Sequence, residues 1–208
     1  MFQPIFTYVI IALTVIASWR AFNSPHFAGE LIFNPYAIKH NKQWFRFISS
    51  GFIHADMQHL IFNMITLFFF GRNVEYIFSK VFPGFGSILY VLFYLSALVI
   101  SGLYTYFKYN DNPGYNALGA SGAVSAVLFC AIAVFPTETI YVYFIPIPGI
   151  AYAILYLIYS FYMAKQRIDN IGHEAHISGA LYGISMGIII LVMTNFQTLP
   201  PAIQNLLQ

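Results

Sequence analysis

Ser121 is flanked by Gly119, Ala120 and Gly122, and an apolar run from Ala123 to Phe135 follows it. Small neighbours leave the backbone around the hydroxyl bare, so a peptide carbonyl can approach closely. A serine at a helix start also sits beside unpaired N–H groups and the positive end of the helix dipole. Those donors suit the oxyanion that forms when a serine attacks a carbonyl. A hydroxyl is a weak nucleophile without an adjacent base. His176, in the stretch G-H-E-A-H-I-S-G at 172–179, is the histidine best placed to be that base. His59 and Asn63 are four residues apart on one helical face and offer further hydrogen-bond donors. Singly, each has a plainer use: a buried serine bonds the preceding turn, and a polar pair joins two helices. Together they point to acyl transfer at a carbonyl.

A third catalytic member is not evident. Glu174 lies two positions from His176 and so faces another side of a helix, while Asp111 and Asp169 fall in polar turns. A Ser–His dyad is therefore expected, with the base oriented by packing.

These residues must be held in a membrane. The chain has 208 residues, 59% hydrophobic and 8% charged, with a mean hydropathy of +0.70. A soluble domain carries about 25% charged residues, so this chain cannot cover a water-facing surface. A net charge of +2 without a dense Lys/Arg cluster argues against a nucleic-acid partner. No phosphate-cradling glycine loop is present, no cofactor is implied, and the single Cys130 excludes a disulfide framework. Residues 1–13 lack the basic start and small-residue cleavage site of a secretory signal and read as a retained first helix.

The expected fold is all-α, a single membrane-embedded domain over 1–208. Six spans are predicted, over 4–22, 57–70 (closed at Gly71-Arg72), 87–107, 121–135, 149–164 and 174–193. The first inter-helix loop, about 23–53, mixes aromatics with cations as interfacial segments do. The polar tail 195–208 is expected outside the membrane. Gly179, Gly183 and Gly187 repeat every four residues, and Gly122, Ser125, Ala126 and Ala133 form a second small-residue stripe. Such stripes let helices pack closely, and this packing is expected to bring His176 to Ser121. Of the nine Lys/Arg, only Arg72 and Lys80 fall opposite the long first loop. Taken alone, the positive-inside rule puts that loop in the cytoplasm.

Five motifs occur in order: Q-W-F-R at 43–46, H-A-D-M-Q-H-L-I-F-N at 54–63, G-R-N-V-E at 71–75, G-A-S-G at 119–122 and H-I-S-G-A-L-Y-G at 176–183. With these the chain resembles the rhomboid intramembrane serine proteases over about 43–189. The resemblance implies a six-helix bundle with the Ser121 nucleophile at the top of a short fourth helix. It implies His176 as base and an oxyanion hole of His59, Asn63 and the Ser121 amide. Substrates would be transmembrane proteins entering laterally from the bilayer, between the second and fifth spans. The resemblance also assigns support to Arg46 in the first loop, to His54 at the start of the second span and to Glu75 at its end. It places the active site near the outer face of a bacterial cytoplasmic membrane, against the charge count.

Two positions depart from the family pattern. Where the family commonly has an aromatic four residues after the nucleophile, stacked on the catalytic histidine, this chain has Ser125. Phe45 separates Trp44 from Arg46, which the family keeps adjacent. A zinc site is the main rival, but H-E-A-H lacks the H-E-x-x-H spacing that puts two histidines on one face. A transporter is disfavoured by the lack of internal repeats. The oligomeric state is not legible.

Overall fold

The computed structural model describes residues 2–142, 144–166 and 172–195. Among them, helix α1 spans Ile5–Asn23, and three short helices follow: α2 (Pro25–Leu31), α3 (Pro35–Asn41) and α4 (Arg46–Ser49). Then come α5 (Met57–Thr66), a π turn at Leu67–Gly71, α6 (Arg72–Val81), α7 (Gly86–Tyr109) and α8 (Ser121–Val134). Strands β1 (Thr139–Val142) and β2 (Ile145–Pro148) lead into α9 (Gly149–Gln166), and α10 covers His173–Met193.

Helix α8 is the centre. It is apolar all round, and a helix of that kind is stable only when enclosed. Every residue from Gly122 to Ile132 is buried. Its 14 residues rise only about 21 Å, short of the roughly 30 Å hydrocarbon core. Its first turn packs against Gly179, six residues into α10, and against Ser101, eight residues before the end of α7, so Ser121 is set below the ends of these longer neighbours.

Helix α10 lies along α8 on the glycine stripe. A Cβ on Gly179 would collide with the Gly122 carbonyl oxygen, and one on Gly183 with that of Ala126. At Gly187 it would meet the Ala133 Cβ at 2.5 Å. With no side chain between them, the backbones approach as small-xxx-small packing allows.

The outer helices are inside-out relative to a soluble protein. On α1 the buried positions include Thr7, Thr14 and Ser18, whereas Ile5, Leu13, Ile16 and Trp19 face outward. Helices α9 and α10 likewise expose Ile154, Ile158, Phe161, Ile188 and Val192. Large apolar groups outward and small polar groups inward suit a lipid surround. Among the described residues, three helices, α1, α7 and α10, are long and apolar enough to cross a membrane by length and composition.

Three features depart from expectation. The second span does not close at Gly71-Arg72: Gly71 keeps helical angles (φ −60°, ψ −42°), and the rod continues through the π turn to Val81. Gly71 is a contact position, since a Cβ there would lie 2.8 Å from the Tyr90 hydroxyl and 3.0 Å from Thr7. The first inter-helix loop itself carries the short helices α2, α3 and α4. Ser24 and Asn34 cap α2 and α3, each followed by a proline at the first helical position. A β-bridge ties Phe33 to Ala117, beside the Ser121 loop. Lastly, residues 139–148 form an antiparallel hairpin, with Ile140 paired to Ile147. Residues 196–208, most of the predicted tail, and Asp169 lie outside the described residues.

Candidate active site

The loop leading to Ser121 is pinned from two sides. Gly119 takes a φ of +118°, which L side chains rarely adopt, and its N–H donates to the Ser50 carbonyl (3.0 Å). A Cβ there would also come within 2.5 Å of His59 Cε1. The next amide, of Ala120, donates to His54 Nε2 (3.3 Å). Helix α8 then begins, with Val124 N–H bonded to the Ala120 carbonyl (2.9 Å). The amides of Ser121 and Gly122 belong to the first turn, where no intrahelical carbonyl is in reach.

His54 carries a relay of hydrogen bonds. Because Nε2 accepts from Ala120, the proton sits on Nδ1 and is donated to Ser18 Oγ (2.9 Å), which donates in turn to the Phe52 carbonyl (3.1 Å). The neutral tautomer is thereby selected. Burial, with His59 beside it, holds the His54 imidazole down at about 3 against an ordinary 6.5, despite the opposing pull of Asp56. His54 lies between the first-loop elements and α5.

Asp56 caps α5, accepting from the His59 amide at 2.8 Å. One hydrogen of Asn63 Nδ2 goes back to the His59 carbonyl (2.9 Å), which fixes the amide plane and leaves its second hydrogen available. The His54 and His59 rings meet edge to face at 4.9 Å.

His176 sits in the first turns of α10, its amide bonded to the Gly172 carbonyl (3.1 Å). Its imidazole is flanked by His173 (5.8 Å between centroids) and by Tyr156 of α9 (6.2 Å, planes 31° apart). The Tyr156 hydroxyl is hydrogen-bonded to Ser125 Oγ at 2.8 Å. Glu174 receives Lys108 Nζ of α7 at 2.7 Å, an ion pair mostly shielded from solvent.

Ser121, His176, His59, Asn63, Gly119 and Gly122 all line one cavity of about 970 Å³. Arg46, His54, Glu75, Gly179 and Gly183 are not on its wall; they act on what surrounds it. Arg46 donates to Gln43 Oε1 (2.6 Å) and to the carbonyls of Gly29 (3.0 Å) and Ile32 (2.7 Å), tying the first loop to itself. Glu75, fully buried, receives the amides of Phe6 (3.2 Å) and Thr7 (2.8 Å) and the Thr7 hydroxyl (2.7 Å), which anchors the start of α1 to α6.

Sequence reasoning missed Tyr156, Ser101 and Asp56 on this wall. Ser101 Oγ occupies the space a side chain at Gly122 would need. Asp56 carried a legible signal, an aspartate three residues before His59 as in a helix cap. Tyr156 carried none. Among the described residues, no group of three or more His, Cys, Asp or Glu side chains is placed to hold a metal ion.

A family model described as "Rhomboid domain" matches residues 41–193. The chain is 28% identical to RHOMBOID-like protein 12, mitochondrial, of Arabidopsis thaliana over 183 residues, covering 83% of this chain and 54% of that protein. It is 26% identical to rhomboid protease GluP of Bacillus subtilis, covering 86% of this chain and 34% of that protein. With rhomboid protease GlpG of Haemophilus influenzae it shares 28% identity, over 74% of this chain and 73% of that protein. The chain thus spans about half, or less, of the first two relatives. Bacterial and mitochondrial names both occur among these relatives, so the likeness does not select the bacterial cytoplasmic membrane expected from the sequence.

Proposed function

The chain belongs to the rhomboid family, and on that premise we propose that it is an intramembrane serine endopeptidase acting on transmembrane protein substrates. It is an integral membrane protein. In this reading its spans are α1, the α5–α6 rod, α7, α8, α9 and α10.

The Ser121 hydroxyl gives its proton to His176 as Oγ bonds to the scissile carbonyl carbon. The carbonyl electrons move onto oxygen, where the Ser121 amide, the second Asn63 hydrogen and the His59 ring donate to the resulting oxyanion. Collapse breaks the C–N bond, and His176 returns its proton to the leaving amine. Water, deprotonated by the same imidazole, then attacks the acyl-enzyme and releases the carboxylate product and Ser121. The scissile bond must lie in unwound backbone, because a helical amide is already hydrogen-bonded and shielded. Substrates are therefore expected to carry small or helix-breaking residues near one membrane face. They enter from the bilayer between α5 and α9.

The observation that supports this most is one of placement. A serine at the first turn of a short, enclosed helix shares a cavity with a histidine from the helix packed along it and with the His59–Asn63 pair. The test is cleavage of a generic transmembrane substrate by purified protein in detergent. Ser121→Ala and His176→Ala are expected to lose activity by at least about 10³-fold, and a fluorophosphonate to label Ser121. Wild-type cleavage by both variants would sink the reading.

A further inference from the structure

We infer that Tyr156 of α9 is the positioning residue for the His176 base, held in place by Ser125 of α8; the inference rests on the protease reading above. The orientation of a catalytic imidazole is set in part by the groups packed against it. Position 125, one turn beyond Ser121, is too small to reach His176. The structure supplies a ring from another helix instead. Tyr156 lies 6.2 Å from the His176 ring with planes only 31° apart, nearer to stacking than to edge-on contact. Its hydroxyl is 2.8 Å from Ser125 Oγ, so the serine that replaces an aromatic at that position anchors the aromatic that replaces it.

The same face of α9 makes a second contact of this kind. Tyr159, three residues on, meets His173 edge to face at 5.7 Å, and His173 is three residues before His176. Residues three apart on a helix are neighbours, so two tyrosines of α9 address two histidines of α10. Phe129 of α8 (5.2 Å) and Tyr152 of α9 (5.8 Å) pack around Tyr156 as well. The ring is thus fixed by α8 while touching α10.

The chemistry gains twice. Stacking limits rotation of the imidazole, and the ring's negative face favours the imidazolium that forms as Ser121 is deprotonated, close to the ~6 Å limit of cation–π attraction. This second contribution exists only once charge develops, so it belongs to kcat and not to KM. Since α9 carries the ring, lifting α9 away from α8 takes the ring from the base. Alignment of His176 and seating of α9 are one event.

The test uses the full chain in detergent, read by the rate of fluorophosphonate labelling at Ser121 and by kcat and KM for a model transmembrane peptide. Tyr156→Leu is expected to lower labelling and kcat on the order of 10-fold with KM changed less than about 2-fold. Tyr156→Phe and Ser125→Ala each remove the tether and keep a ring, and each is expected to lower kcat about 3-fold, with the double variant no lower than either. Ser125→Tyr placed on Tyr156→Leu returns a ring from α8 and should recover labelling above that of Tyr156→Leu alone. Wild-type labelling by Tyr156→Leu, a loss confined to KM, or no recovery in the rescue variant each overturns the inference. If Tyr156→Leu does not fold, unchanged kcat in both tether variants overturns it equally. Failure of the wild-type protein to label would instead remove the protease reading itself, so the two failures are distinguishable.

Discussion

Gly179 of α10 and Gly122 of α8 meet backbone to backbone, so closely that a Cβ on Gly179 would collide with the Gly122 carbonyl oxygen. One residue on the N-terminal side of Gly122 is Ser121; three on the N-terminal side of Gly179 is His176. The contact that gives the two helices their spacing is thus the contact that sets Ser121 and His176 on one cavity.

A side chain at this seam should therefore cost both stability and activity. Gly179→Val forces the two helices apart against rigid backbone and is expected to destabilise by at least about 2 kcal/mol. Cleavage should fall further than the folded fraction does. Gly29→Ala is the control: nothing lies within 4 Å of a Cβ there, and its stability should stay within about 0.5 kcal/mol of wild type. Thermal unfolding in detergent, alongside an activity assay, measures both.

Asn63 already gives one amide hydrogen to the His59 carbonyl, and in the proposed mechanism its other hydrogen is the one offered to an oxyanion. Asn63→Ala should lower kcat by about 10²-fold while leaving KM within a few-fold, as loss of a single oxyanion donor does. Equal loss in KM would mean that Asn63 serves substrate binding.

His54 should make stability pH-dependent. Its folded-state value of about 3 lies below the ordinary 6.5, so between those values the unfolded chain binds a proton that the folded chain refuses. Stability from this group is complete above about pH 6.5 and drains away as pH falls toward 3, with a slope of at most about 1.4 kcal/mol per pH unit. Melting temperatures across pH 4–7 should show the decline. In His54→Gln, whose amide oxygen can still accept the Ala120 N–H, that part of the slope should be missing.

Glu75 holds two backbone amides and a hydroxyl at the start of α1. Glu75→Ala strands these donors in a closed interior and is expected to cost about 2–4 kcal/mol. Proteolysis of α1 should become faster in the variant while chemistry at Ser121 in the folded fraction stays intact.

The chain's own order made much of this legible. The four-residue glycine repeat, the 59/63 pair and the bare surroundings of Ser121 are local patterns, and helical geometry turns local spacing into a shared face. The membrane character followed from composition alone, because no fold can cover so apolar a chain with polar surface. Most helix limits were readable within two residues for the same reason.

Other features were decided by distance-spanning contacts. Gly71 read as a helix stop, since glycine usually marks one; in the fold it stays helical, and it is a glycine because Tyr90 and Thr7 leave no room for a side chain. The short helices of the first loop were not legible, because its cohesion comes from Arg46 reaching Gly29 and Ile32 and from the Phe33–Ala117 bridge. Tyr156 was indistinguishable from fifteen other tyrosines among the sixteen in the chain. Its meaning depends on how α9 is rotated against α8 and α10, and rotation is set by packing with partners far along the chain. Periodicity tells which residues share a face of a helix. Only the assembled bundle tells what that face meets.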